Sequence, residues 1–382
     1  MNAVDDTTPE REGVRQRVAL AIRKWIAEGR FTPDDALPSE RAIATTLAVA
    51  RGTVRAALSA LEEQGVIRTE GRSRIVLPGE PRPGVVSQAV AVIAYPPRRP
   101  GGERSATGWD RHVADGAVRA VRDAGYHVLE LDADRLVQLG AGALIRERPM
   151  GVLVSRIAGE SVIGVELITA LKAVGLTVVA YGDNPSLANF DRVTSDHARG
   201  AYELTRWLVE RGRKRIVRIW GSGEGYPGWL AARDEGHERA LREAGIEATP
   251  PLRVRFRSTR GERRRFDEDS RVVAGYLVEH LRADPPLDAV MVVSDRFVFT
   301  VAAACRLMKK EPGRDVLVVG YDNYWEACVE RRWEDFTPSA TVDKRNHDLG
   351  AEMVKLMFER SEGRLPREPQ LRVLEPRVIF CD

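Results

Sequence analysis

Arg51 and Arg55 stand four residues apart, and Val54, Ala57, Leu58 and Leu61 recur around them at helical spacing until Gly65. Four residues is about one turn, so both guanidinium groups leave one face at the start of a single helix. Arginine there can form paired hydrogen bonds to base edges in a major groove. Arg72 and Arg74 follow in a hairpin tip, where cations meet phosphates or a minor groove. A second set of candidates lies beyond apolar, strand-like runs. It comprises Tyr95 and the loop through Trp109 and Asp110, then Ser155 and Arg156, Tyr181, Asp196, Arg233, Asp295, and Asp322 with Trp325. Aromatic planes beside bidentate polar groups suit a carbohydrate, which has an apolar ring face and a rim of hydroxyls. Asp196 and Asp295 can equally cap the helices that follow them, and Tyr95 and Trp325 can equally be core.

The elements that must hold the first set are short. Val14, Val18, Ala21, Ile22, Trp25 and Ile26 predict an amphipathic helix closed by Gly29. Ser39 predicts an N-cap for a second helix over 40–47. After the Arg51 helix, Val66 to Thr69 and Ile75 to Leu77 flank the turn Glu70-Gly71-Arg72-Ser73, which predicts a hairpin. Three helices and a hairpin are the order of a winged helix-turn-helix. Three prolines and two glycines within residues 78–84 then predict a linker. Buried-strand runs follow at 89–95, 128–131, 151–154, 177–180, 215–220, 289–293 and 316–319, most of them separated by amphipathic helical segments. That alternation predicts parallel sheets with helices on both faces, in two halves.

Composition limits the alternatives. The 382 residues hold 59 Lys and Arg against 56 Asp and Glu, with 43% apolar residues, which fits a folded chain of two or three domains. The near-balance hides a local excess: residues 11–76 carry twelve basic and eight acidic residues. The three cysteines, Cys305, Cys328 and Cys381, are widely spaced and odd in number, which predicts neither a disulfide framework nor a zinc site. With no apolar run of about 20 residues and no signal-peptide pattern, a soluble protein of the reducing cytoplasm is expected, without a membrane partner.

Other motifs carry less. Gly221-Ser222-Gly223-Glu224-Gly225 has Tyr226 at the third glycine of a dinucleotide fingerprint. Arg260, Arg263, Arg264 and Arg265 neighbour Glu262, Asp267, Glu268 and Asp269, as in a solvated loop or helix start. The six histidines show no metal-ligand spacing, and no nucleophile elbow sits between strand and helix. No catalysis, cofactor or metal is expected.

Leu37-Pro38-Ser39-Glu40-Arg41, Val49-Ala50-Arg51-Gly52-Thr53-Val54-Arg55 and Gly65-Val66-Ile67 closely resemble the GntR-type winged helix. The resemblance implies DNA contacts from Ser39, Arg41, Arg51 and Arg55, a phosphate contact from Thr53, and a wing of Gly71, Arg72 and Arg74. Ala50 replaces the family's usual Ser, removing a helix cap worth about 1 kcal/mol. The rest resembles the LacI/GalR-type sensor, similar to periplasmic binding proteins. Val193-Thr194-Ser195-Asp196, Arg233-x-x-Gly236, Val293-Ser294-Asp295, Gly320-Tyr321-Asp322-Asn323 and Ala340-Thr341-Val342-Asp343 occur in family order. By that resemblance Arg233 and Asp322 hold sugar hydroxyls. Ser294 and Asp343 depart from the family's usual Asn and Gln.

The fold class implied is α/β, an N-terminal winged helix-turn-helix plus a two-lobed sensor with parallel sheets flanked by helices. The divisions are a reader over 1–77, a linker over 78–88 and a sensor over 89–382. The implied function is a ligand-responsive repressor, as in the arabinose-repressor-type hybrids, that reads double-stranded operator DNA as a homodimer. A constitutive repressor with a degenerate, purely dimerising sensor is the alternative, and an enzyme with a fused regulatory module is a further rival.

Overall fold

The computed structural model describes residues 8–381 apart from 28, 33, 64, 72, 78–87, 95–107, 134–135, 137–141, 156–161, 222–226 and 257–261. Arg72, Tyr95 and Arg156 lie outside the described residues, as do most of the linker and the loop from Ser222 to Tyr226.

Helices α1 (Thr8–Ala27), α2 (Glu40–Leu47) and α3 (Arg51–Glu63) precede a hairpin of β1 (Ile67–Glu70) and β2 (Ser73–Val76). Val18, Ile22, Ile43, Val54, Leu58 and Leu61 meet Val66, Ile67 and Val76 in one core. Glycine stops two of these helices for the same reason. Gly29 and Gly65 have φ of 73° and 72°, a left-handed conformation that costs glycine little. The bonds from Arg30 N–H to Trp25 O and from Val66 N–H to Leu61 O then satisfy carbonyls at the ends of α1 and α3.

Beyond them lie two six-stranded sheets. The first lobe has the order β13 (Leu371–Leu374), β7 (Asp191–Ser195), β6 (Val178–Tyr181), β5 (Gly151–Val154), β3 (Ala89–Ala94), β4 (His127–Asp132), and all its pairings are parallel. The second has the order β14 (Arg377–Phe380), β12 (Ala340–Asp343), β11 (Leu317–Tyr321), β10 (Ala289–Val292), β8 (Ile216–Gly221), β9 (Leu252–Val254), with only β14 antiparallel. Strands covered on both faces need continuous apolar runs, and β3, β5 and β10 are buried at every residue.

In the first lobe, Val90 and Val92 face α4 (Trp109–Asp123) and α11 (Asn346–Ser361). Ala91 and Ile93 face α5 (Gly142–Glu147) and α6 (Val162–Ala173). In the second, one sheet face meets α9 (Arg263–Arg282) and α10 (Arg296–Leu307), and the other meets α7 (His197–Glu210) and α8 (Gly228–Glu243). The packed helix pairs approach through glycine: a Cβ on Gly116 would overlap the carbonyl of His347, and one on Gly236 that of Ala198.

The chain passes between the lobes three times. It leaves β7 for α7 at Asp196, leaves β12 for α11 through Lys344 and Arg345, and leaves β13 for β14 at Glu375 and Pro376. Three strands joining two lobes, each with its strand ends directed at the other, are the framework on which an inter-lobe site is built. No helix among the described residues is long and apolar enough to cross a membrane.

Candidate functional site

Two regions gather polar groups with a shared direction. At the N-terminus, Ser39 caps α2, its Oγ accepting from Ala42 N–H at 3.2 Å. The cap fixes the first turn of α2 and thereby Glu40. The Glu40 carboxylate accepts from Arg51 Nε at 3.2 Å, Arg55 Nε at 3.2 Å and Arg55 Nη2 at 2.9 Å. The bond from Arg55 is the largest influence holding the Glu40 carboxyl below its ordinary pKa. Both arginine side chains remain more than three-fifths exposed, at 63% and 61%. One carboxylate thus fans two exposed guanidinium groups side by side.

Arg41 is exposed on α2, and Thr53 is half-buried between the two arginines. Gly71, with φ of 62°, turns the hairpin. Arg74 does not project with the others. It sits opposite Thr69 in the ladder, its Nε donates to Thr69 Oγ1 at 2.8 Å, and it lies 3.8 Å from Glu62 of α3. Ala50 accepts from Thr53 and Val54 N–H through its backbone carbonyl, the only acceptor that it has.

The second region lies where strand ends of the two lobes meet. Asp322, one residue past β11, is 2% exposed, and its backbone φ is 95°. Its Oδ2 accepts from Ser294 Oγ at 2.8 Å, and its Oδ1 lies 2.8 Å from Lys344 Nζ and 3.9 Å from Arg233 Nη2. Arg233, from α8, donates to the Val293 carbonyl at 2.7 Å, and its guanidinium lies 3.3 Å from the centre of the Tyr321 ring and 4.8 Å from that of Trp229. Lys344 reaches the first lobe as well, 3.9 Å from the Trp109 ring centre and 3.4 Å from the Tyr181 hydroxyl. Trp109 and Tyr181 are themselves in contact, with centroids 5.3 Å apart. His197 is buried beside Tyr321 and Trp229. Desolvation, then the charges of Arg233 and Lys344, drive its pKa far below that of a free imidazole, so it is a neutral wall.

The structure therefore brings Trp109, Arg233 and Asp322 together. Asp196 stands at the first crossing, where it caps α7 by accepting from Arg199 N–H at 2.8 Å. Trp325 packs on the second lobe's core, with Arg331 over its ring. Asp110 is half-buried in the first turn of α4. Asp295 is fully buried, and its carboxyl turns away from α10 to accept from Thr341 Oγ1 at 2.6 Å and Tyr324 N–H at 2.7 Å. Lys344, Tyr321, Trp229 and His197 are missed by the reading of the sequence. Lys344 directly follows a strand and was within reach of the rule that singled out Asp322. The Arg263 cluster opens α9 and pairs with its own acids, Arg263 with Asp267 and Arg264 with Glu268. Among the described residues, no group of three or more His, Cys, Asp or Glu could hold a metal ion.

Burial, opposed by the Thr341 bond and aided by Asp322, pushes the Asp295 carboxyl up to about 8. The folded chain therefore keeps a proton that the unfolded chain, with a carboxyl pKa near 3.9, releases. Stability from this group is complete below about pH 4 and is lost as pH rises towards 8. Asp295→Asn, uncharged throughout, is expected to flatten the decline in denaturation free energy between about pH 5 and 8. An unchanged slope in denaturant melts would show that Asp295 does not hold that proton.

Two family models match the chain: "Bacterial regulatory proteins, gntR family" over residues 14–77, and "Periplasmic binding protein-like domain" over residues 205–380. The transcriptional regulator CelR of Thermobifida fusca is 30% identical over 252 residues, covering 63% of this chain and 67% of that protein. The arabinose metabolism transcriptional repressor of Geobacillus stearothermophilus is 20% identical over 359 residues, 90% of each chain. Among solved structures, a CelR–cellobiose complex has a TM-score of 0.57 at 21% identity, covering 90% of this chain and 99% of that one. A LacI-family regulator from Chloroflexus aggregans has a TM-score of 0.60 at 19% identity, covering 77% and 98%. At these identities the structures establish the shared two-lobed fold.

Proposed function

The chain belongs to the helix-turn-helix transcriptional regulators in which a GntR-family reader precedes a periplasmic binding protein-like sensor, and we propose that it represses transcription as a cytoplasmic homodimer whose grip on its operator is set by a sugar-class effector. The reader corresponds to residues 1–77, the linker to 78–88 and the sensor to 89–382. Two readers would present Arg51 and Arg55 to successive half-sites, with Ser39, Arg41, Thr53, Gly71 and Arg72 placing the motif on the duplex and Arg74 bracing the wing against Glu62 of α3. The effector would lie against Trp109, Arg233 and Asp322, with Tyr95, Asp110, Arg156, Asp196, Asp295 and Trp325 around or behind it. Its contacts with both lobes would favour one lobe arrangement, and so one spacing of the readers.

The observation that carries this reading is the pairing, within one chain, of two exposed guanidinium groups fanned by Glu40 with a buried Arg233–Asp322 site at the lobe junction. Gel-shift titration of the purified chain against its own upstream DNA tests it. Sequence-specific retardation that a sugar weakens or strengthens is the expected result. Retardation equal for any DNA would remove the operator reading, and indifference to every sugar would favour constitutive repression.

A further inference from the structure

Arg233 and Lys344 flank Asp322 in a site where all three side chains are 3% exposed. Two cations against one carboxylate give these three side chains a net charge of one positive unit. The next shell does not offset it: Asp183 and Arg192 add one charge of each sign. Burial raises the Asp183 carboxyl's pKa, while Arg192 and Arg233 pull it back. Asp295 is held in its protonated form below about pH 8, and His197 is neutral. An isolated buried charge costs several kcal/mol, which a counter-ion within the same site relieves.

One orphaned atom points the same way. Arg233 Nε is a buried donor without a hydrogen-bond partner, whereas the Asp322 carboxylate is met by Ser294 Oγ and the Lys344 ammonium. A ligand meeting Arg233 must offer an acceptor, which an anionic group does. Trp109, with Lys344 over its ring, and Trp229, with Arg233 over its ring, set aromatic planes next to both cations. A sugar ring bearing an acidic substituent satisfies every one of these groups.

We propose that the effector is an anionic sugar, a sugar acid or sugar phosphate, whose negative group is received by Lys344 and Arg233 while its hydroxyls engage Asp322. The proposal rests on the sensor reading above and narrows its ligand class. Lys344 acts as the residue that selects charge, and Arg233 and Asp322 hold the ring.

The test is a thermal-shift and calorimetric panel on the full chain with glucose, glucuronate and glucose 6-phosphate, and with cellobiose and cellobionate. At least one acidic member should bind more tightly than its neutral counterpart by about tenfold or more, the gain of one well-formed charge-assisted contact. Lys344→Gln should abolish that preference, the acidic member then binding no more tightly than its neutral counterpart, and Lys344→Arg should keep it. The wild-type panel stands alone should Lys344→Gln fail to fold. A neutral sugar that binds as tightly as its acid overturns the charge proposal and leaves the sensor reading intact. A preference that survives Lys344→Gln overturns the role of Lys344. No binding by any member overturns the proposal together with the sugar-sensing reading.

Discussion

Arg55→Ala is expected to weaken binding to the specific operator by roughly five- to 150-fold, the range for one lost bidentate base contact. Binding to unrelated DNA should change far less. Arg55 is more than three-fifths exposed and paired with Glu40 on the surface, where ion pairs contribute little to folding. The variant should therefore melt like the parent, so that the loss is read as recognition and not as unfolding. Arg55→Lys sharpens the result, because lysine keeps the charge but lacks the planar fork. A base-reading Arg55 predicts that Lys fails almost as badly as Ala. If the Lys variant instead binds as the parent does, and Ala merely lowers the salt dependence of all DNA binding by about one counter-ion, Arg55 contacts a phosphate. Fluorescence anisotropy at several salt concentrations, with specific and scrambled duplexes, separates the outcomes.

How much of this was legible in the sequence varied with how locally each feature is determined. The reader was legible almost residue by residue: α2 runs from Glu40 to Leu47 as its cap and apolar spacing require, and Gly65 ends α3. Strands buried on both faces were found because a run such as Gly151–Val154 leaves no alternative. β7 lies outside the buried runs expected from the sequence, because Asp191 and Arg192 interrupt its apolar pattern. Asp191 is buried where Arg360, 169 residues away, and the Gln370 N–H meet its carboxylate. β13 alternates exposed and half-buried residues at a sheet edge, and Arg372 breaks the apolar run of this four-residue strand.

The junction shows the same limit. Asp322 and Arg233 are legible from their places past strands and from family order, while Lys344 shares only the place past a strand, where a lysine is ordinarily on the surface. It is buried because the chain recrosses between lobes at that point and because Asp322, Trp109 and Tyr181 arrive from three other segments. Arg74 moved in the opposite sense. Adjacency to a turn suggested an exposed tip, whereas strand register places it across from Thr69 and beside Glu62. Sequence periodicity reports which face of an element is buried, and partners distant in the chain decide what a polar residue does there.

Asp322→Asn should produce the largest loss of stability of the substitutions considered, about 3–5 kcal/mol, because it leaves buried cations without their shared carboxylate. The substitution isolates that effect. Asparagine has nearly the same volume, can still accept from Ser294 Oγ, and tolerates the φ of 95° at this position. Neither a cavity nor backbone strain then competes as an explanation. Effector binding should fall as well, since an amide in place of the carboxylate accepts hydroxyls more weakly. Lys344→Met alone should cost less, because Asp322 retains Arg233 at 3.9 Å. The decisive quantity is the coupling in a double-mutant cycle. Asp322→Asn combined with Lys344→Met removes both members of the closest pair and should recover a substantial part of the single-mutant loss. If the two losses simply add in urea denaturation, Asp322 stabilises the junction through hydrogen bonds alone. Coupling of more than about 1 kcal/mol would instead establish that the Lys344–Asp322 charge pair helps to hold the lobe junction together.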